Sequence, residues 1–236
     1  MIEARLEFSP GKLKPLVSKL LSLPDQLRPS RYGLGEDEKG HPISDPTRFV
    51  DSLNERAPPG PYLSGDYCSY EISLAAPKPI ICHGCLDVDP AIAERFMVEM
   101  ASLNPIFGHA CLQEERYRRN RVTTRQGANT IESWVGRDTQ KYIPGFYWLT
   151  LLPDSLMKQH GIPLAAVAAV AQEHTELDGG QHLFRFYDRP ESWRETSAVA
   201  ELCASLSGVF DVEKIKPQLM AAKNFLDLNL ALRNWR

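Results

Sequence analysis

Cys82-His83-Gly84-Cys85 is the stretch whose residue types come closest to reactive or metal-binding chemistry. Two thiolates at this spacing can share a zinc ion, but a structural site takes four ligands, usually from a second such pair. Cys68 and Cys111 are the distant partners on offer, and no other CxxC occurs in the chain. A redox role wants the first cysteine at a helix N-terminus, where the dipole lowers its pKa. Here Asp87, Asp89 and Pro90 place the next helix start several residues later. The simpler expectation is two strand-end thiols beside a turn, with no metal and no cofactor. A second candidate, Glu173-His174-Thr175-Glu176-Leu177-Asp178 with His182 shortly after, sets imidazoles among carboxylates. On a helix His174 and Asp178 would lie one turn apart, as ligands or as base and orienter. Gly179-Gly180 predicts that the helix is already ending there, so a solvated helix end and turn is expected. The chain has no Gly-rich phosphate loop, serine nucleophile elbow or HExxH, and no residue is singled out as catalytic.

Arg116, Arg118, Arg119, Arg121 and Arg125, with Tyr117 and Asn120 interleaved, form the densest charge feature. Guanidinium forks can grip phosphates, or carboxylates on a protein partner, where bidentate geometry favours Arg over Lys. Alternatively, Glu114, Glu115 and Glu132 neutralise them in a solvated loop. An acidic counterpart lies at Glu173, Glu176, Asp178, Asp188 and Glu191. These ten side chains are the candidate partner contacts.

Composition narrows the classes. A chain of 236 residues supports one sizeable core, or two small lobes sharing an interface. A net charge of -3 argues against a generalist nucleic-acid binder, which is usually strongly basic. No apolar run approaches the ~20 residues a membrane span needs, and MIEARLEFSPGKLK does not read as a secretory signal. Five cysteines, an odd number, suggest reduced thiols and a cytoplasmic protein.

The elements that must carry these residues follow from patterning. Ile2, Ala4, Leu6 and Phe8 alternate with Glu3, Arg5 and Glu7 as an amphipathic strand. Ser9-Pro10 then opens a helix faced by Leu13, Val17, Leu20 and Leu21. Pro24 to Asp45 reads as a polar excursion, Asp45-Pro46 opens a short helix, and Pro58-Pro59-Gly60-Pro61 is the sharpest linker signal. It marks a candidate sub-lobe boundary near 58–61. Tyr67 to Leu74 and Pro79 to Val88 suggest a hairpin turning around Pro77. Ile92, Phe96, Met100 and Leu103 recur as one face of a helix capped by Asp89-Pro90. Ile106 to Leu112 reads as a strand, followed by a polar stretch to Thr130 that includes Gly127.

Gly145 to Leu152, GFYWLTLL, is apolar on both alternations and predicts a central strand buried on two sides. Trp134, Tyr142, Pro144, Gly145, Phe146, Tyr147 and Trp148 are its expected structural core. Beyond it come a short helix to His160, an alanine-rich helix from Pro163 to about Glu173, and a strand from His182 to Tyr187. Val199, Leu202 and Leu206 mark another helix, and Lys214 to Lys223 suits a further one. Leu226, Leu228, Leu230 and Leu232 alternate like a strand. The sum is α+β, a mixed, mostly antiparallel sheet with flanking helices.

The string ESWVGRDTQKYIPGFYWLTLLP, with PLAAV after a short helix, resembles bacterial immunity proteins of polymorphic toxin systems. More narrowly it is similar to the immunity group paired with toxins bearing a restriction-endonuclease-like nuclease domain, including those delivered by type VI secretion. A sister group of immunity candidates shares the pattern that runs here from Tyr142 to Trp148. The likeness spans about Phe107 to Tyr187. It implies a cytoplasmic protein without catalysis of its own, whose partner is a cognate toxin, with no direct contact to nucleic acid or membrane. An effector chaperone, or a small thiol- or zinc-dependent enzyme centred on Cys82, His83 and Cys85, are the rival readings.

Overall fold

β1 (Ile2–Phe8) is the middle of the structure because its alternation gives it two usable faces. Ile2, Ala4, Leu6 and Phe8 enter the main apolar core, while Glu3 and Glu7, on the other face, are also buried. The structure is a computed structural model and describes residues 1–33, 40–54, 60–74, 78–126 and 129–235. After β1 the chain forms α1 (Leu13–Leu21), β2 (Arg31–Gly33), β3 (His41–Pro42), α2 (Pro46–Ser52) and β4 (Tyr62–Ser64). β5 (Cys68–Ser73), β6 (Ile80–Leu86), α3 (Pro90–Ala101) and β7 (Phe107–Leu112) follow. Next are α4 (Gln113–Asn120), β8 (Arg121–Gln126), β9 (Asn129–Trp134) and β10 (Leu149–Pro153). The last elements are α5 (Asp154–Gln159), α6 (Leu164–Ala168), β11 (Glu173–Leu177), β12 (Gln181–Arg185), α7 (Ala198–Ser205), α8 (Lys216–Ala221) and α9 (Phe225–Trp235).

Ten strands make one sheet in the order β11-β12-β10-β7-β1-β6-β5-β4-β2-β3, and β8 and β9 make a separate hairpin. The ladders between these strands are antiparallel, so the α+β expectation holds. No helix of the described residues is long and apolar enough to cross a membrane. Register places Ala4, Leu6, Cys82, Gly84, Gly108 and Ala110 on one face of the sheet. α3 packs there: Phe96 stacks on Tyr70 at 5.7 Å, and Met97 lies over Gly108, where a Cβ would sit 3.0 Å from Leu6. α1 lies beside α3, joined through Lys19 and Glu99 at 2.6 Å. Glu3, Arg5, Glu7, His83 and His109 share the opposite face. A second, smaller cluster, Val122, Val135, Tyr142, Phe210, Ile215, Leu228 and Leu232, sits beneath the hairpin and α9.

Several sequence expectations need correction. α1 starts at Leu13 and not at Pro10, because Pro10-Gly11 turns with Gly11 at φ +86. The excursion from Pro24 to Asp45 contains β2 and β3, strands too short to show an alternation. The stretch from Gln113 to Thr130 holds α4, β8 and the start of β9, so most of the arginines ride on a helix and not a loop. Gly127 lies outside the described residues, as do Pro58, Pro59 and Pro77. β2 and β4, on either side of the 58–61 segment, are paired neighbours through Arg31 and Ser64. The strand after Gly145 begins only at Leu149; Gly145 to Trp148 are buried but irregular. Its two-sided burial is as expected. α6 stops at Ala168, and Glu173 already belongs to a strand.

α9 replaces the expected C-terminal strand. A period-two row of leucines placed on a helix alternates between opposite faces. Leu228 and Leu232 are buried, while Leu226 and Leu230 point outward, 68% and 52% exposed.

Candidate functional site

The polar residues of α4 divide by direction. Glu115, Arg119 and Asn120 recur at helical spacing and face inward, onto the irregular segment from Val135 to Trp148. Glu115 takes Arg119 at 3.0 Å and the Trp148 backbone N–H at 3.3 Å. Arg119 also donates to the Tyr187 hydroxyl at 3.0 Å. Burial pushes the Glu115 carboxyl upward, against the downward pull of the Arg119 guanidinium. Asn120 donates to the carbonyls of Val135 and Pro144, both at 3.2 Å, and accepts from the Tyr147 hydroxyl. A segment outside the main sheet must satisfy its backbone groups elsewhere; α4 supplies part of them, and the bridge of Ile143 to Val209 and the Gly136 N–H bond to the Trp235 carbonyl supply others. Gly136 within it has φ +69, and a Cβ there would lie 2.3 Å from the Phe210 ring, so that position excludes any side chain.

Arg116 points sideways, over the polar face of the sheet. It reaches Glu3 at 2.8 Å and His83 at 3.0 Å, and its guanidinium lies 4.5 Å from the centre of the Trp134 ring. Burial would raise the Glu3 carboxyl, but His83, Arg116 and Gln113 around it hold it below its usual value. Trp134, expected in the core, is half-buried and shared between Arg116 and Tyr117, whose ring is 5.4 Å away. Tyr142, Pro144, Gly145, Phe146, Tyr147 and Trp148 are buried as expected.

Between this face of β1, β5, β6 and β7 and the overhanging 134–147 segment lies a pocket of about 350 Å³. Arg5, His83, Arg116 and Arg137 supply its basic lining, Glu71 and Ser73 sit on β5, and Trp134, Pro144 and Tyr147 form the opposite wall. His109 belongs to this wall. Its ring stacks on Tyr147 at 4.0 Å and 17°, is 3% exposed, and finds no hydrogen-bond partner for either nitrogen among the described residues. Burial first, then the positive neighbours Arg5 and Arg116 and the imidazole of His83, hold its pKa well below the ordinary histidine value. No motif marks this group; its only signal is a polar residue inside an otherwise apolar strand, FGHACL.

The remaining arginines face outward. Arg118 is exposed and 3.6 Å from Glu213; Arg121 pairs with Glu132 across β8 and β9 and covers Tyr117 at 4.6 Å. Arg118, Arg121, Val122, Val212, Lys216 and Met220 line a shallow pocket of about 310 Å³ between β8 and α8. Met220 is 87% exposed, and Phe225, Leu226 and Leu230 are exposed on α9, which contacts α8. Arg125 is exposed on β8, nearer the hairpin tip.

The acidic candidates lie elsewhere. Glu173 and Glu176 are exposed on β11, at the edge of the sheet, with Asp178 in the following turn. Charges on an edge strand oppose unwanted pairing with another chain. Arg185 draws in Glu173 and lies 3.6 Å from Asp188; Glu191 is exposed in a 3-10 turn. His174 does not meet Asp178 on a helix. It contacts His182 at 3.0 Å across the β11–β12 hairpin, and His182 contacts Asp154 at 3.0 Å.

Cys82 and Cys85 are three apart on a strand and so point to opposite faces of β6, which prevents the pair from closing on one ion. Burial pushes the Cys82 thiol up to about 12 and the Cys68 thiol to about 11, away from reactive thiolates. Among the described residues no group of three or more His, Cys, Asp or Glu side chains is placed to hold a metal ion. Comparison with protein-family models, curated proteins and solved structures finds no match to this chain.

Proposed function

We propose that this chain is an immunity-type protein, which binds a nuclease toxin and neutralises it by covering the active site. The observation that carries the reading is the outward surface of β8, α8 and α9. There Arg118, Arg121, Lys216 and Met220 line a shallow pocket, and Phe225, Leu226 and Leu230 are exposed on α9, which contacts α8. Arginine and large apolar side chains around a dry centre are the composition of protein interfaces. Restriction-endonuclease-like active sites hold metal-binding carboxylates, and an arginine-bordered surface is complementary to them. The resemblance of residues 107–187 supplies the partner class. Protection against a toxin made in the same cell calls for nanomolar or tighter binding, about -12 kcal/mol or beyond.

The test is co-expression with the toxin encoded beside this chain, followed by co-purification. Survival of the cells, a stable complex and loss of nuclease activity in it are the expected results. A complex in which the nuclease stays active would make the chain an effector chaperone instead. Death of the cells with no complex formed would remove the reading altogether.

A further inference from the structure

The pocket on the polar face of the sheet is not needed for a protein partner, and it has the features of a site in its own right. Buried polar groups are nearly always hydrogen-bonded, and one left without a partner calls for a ligand or water to satisfy it. Among the described residues His109 finds no partner for either ring nitrogen, while its ring forms part of the pocket wall. Two guanidiniums flank it in the lining. Arg5 gives one N–H to Glu7 at 3.1 Å, and Arg116 uses two contacts, to Glu3 and His83. A guanidinium has five donors, so both forks keep N–H groups for something else. Glu3 and Glu7 lie behind them, nine-tenths or more buried, and hold the arginines in place. Trp134, Tyr147 and Pro144 add a flat apolar wall, and about 350 Å³ suits a molecule of metabolite size.

We propose that this pocket binds a small organic oxyanion, a carboxylate or phosphate ester carried on a planar group. Its oxygens accept from Arg5 and Arg116, and from the His109 N–H once the enclosed ring turns toward the pocket, while its flat part lies against the wall formed by Trp134 and Pro144. The site shares no lining residue with the pocket on the β8, α8 and α9 surface, although Trp134 in its wall pairs with Arg121 across the β8–β9 hairpin.

Phenyl phosphate, benzoate and the isosteric cation benzamidinium are the probes. Isothermal titration into the full chain in a phosphate-free buffer separates them, and ring-nitrogen NMR of His109 reports on contact. Saturable binding of one or both anions, absent for benzamidinium, with movement of the His109 ring resonances, is expected. Tighter binding of phenyl phosphate would assign a phosphate ester, and of benzoate a carboxylate.

His109→Phe keeps the stack on Tyr147 and removes both nitrogens. Losing two unsatisfied polar atoms should raise Tm by about 2–4 °C while weakening the anion at least tenfold. Arg5→Gln, which leaves the buried Arg116–Glu3 pair intact, should weaken it similarly and serves if the first variant does not fold. Anion binding that survives both changes, binding of benzamidinium equal to that of the anions, or His109 resonances that stay still at saturation would each overturn the proposal.

Discussion

The inward and outward sides of α4 carry the same residue type to opposite ends. Arg119 is enclosed, holding Glu115 and Tyr187 at 3.0 Å, and helps keep the Val135 to Trp148 segment in place. Arg118, one residue away, is exposed and rests only loosely on Glu213 at 3.6 Å. A buried charge must be matched where it stands, whereas an exposed pair contributes little to stability. Adjacent arginines therefore divide into one that builds the fold and one that stays exposed, on the side proposed for recognition. Sequence proximity alone had joined them into one cluster.

Mutations should separate the two sides clearly. Arg119→Met leaves the Glu115 carboxyl buried without its counter-charge and should cost about 3–5 kcal/mol in urea unfolding. Asn120→Ala removes the donor to Val135 and Pro144 and the acceptor of the Tyr147 hydroxyl. About 1–3 kcal/mol should be lost, and a value near zero would mean that the irregular segment is held by packing alone. On the outward side, Arg118→Glu and Leu230→Asp should each change stability by less than about 0.5 kcal/mol. If either unfolds the chain, the division between building and recognition is wrong.

His109 sharpens the same contrast through pH, because it is enclosed without a partner. Its folded pKa lies well below the value of about 6.5 expected in the unfolded chain. Above that value the ring is neutral in both states and makes no difference. As pH falls below it, the unfolded chain takes up a proton that the folded one refuses, so stability falls, by at most about 1.4 kcal/mol per pH unit. Unfolding curves between pH 7 and pH 5 should slope less for His109→Phe than for wild type. Equal slopes would show that His109 is not the group responsible.

Long elements with one clear period were legible in the sequence: β1, α3, the β5–β6 pair and α7 fall where alternation, heptad-like spacing and proline signals put them. The failures have particular causes. Pro144 to Trp148 is as buried as a central strand, but burial does not require strand pairing when Glu115 and Asn120 supply the hydrogen bonds. The leucines of α9 are a period-two row because both faces of that helix are apolar, one packed and one open. The pocket was invisible because Arg5, Glu71, His83 and His109 are brought together only by the sheet register, and Arg116 and Trp134 only by α4 and the β8–β9 hairpin lying over them. Cys82 and Cys85 lie within β6 and not beside a turn, and on a strand a spacing of three separates side chains that a tight turn would have joined.

The most direct measurement of the central claim is nuclease activity of the proposed toxin partner, titrated with wild-type chain and with the folded Arg118→Glu/Leu226→Asp/Leu230→Asp variant. Wild type should abolish cleavage at one equivalent, and the variant should leave the enzyme active at many. Equal inhibition by the two proteins would contradict an interface on β8, α8 and α9, and full activity with both would contradict neutralisation itself.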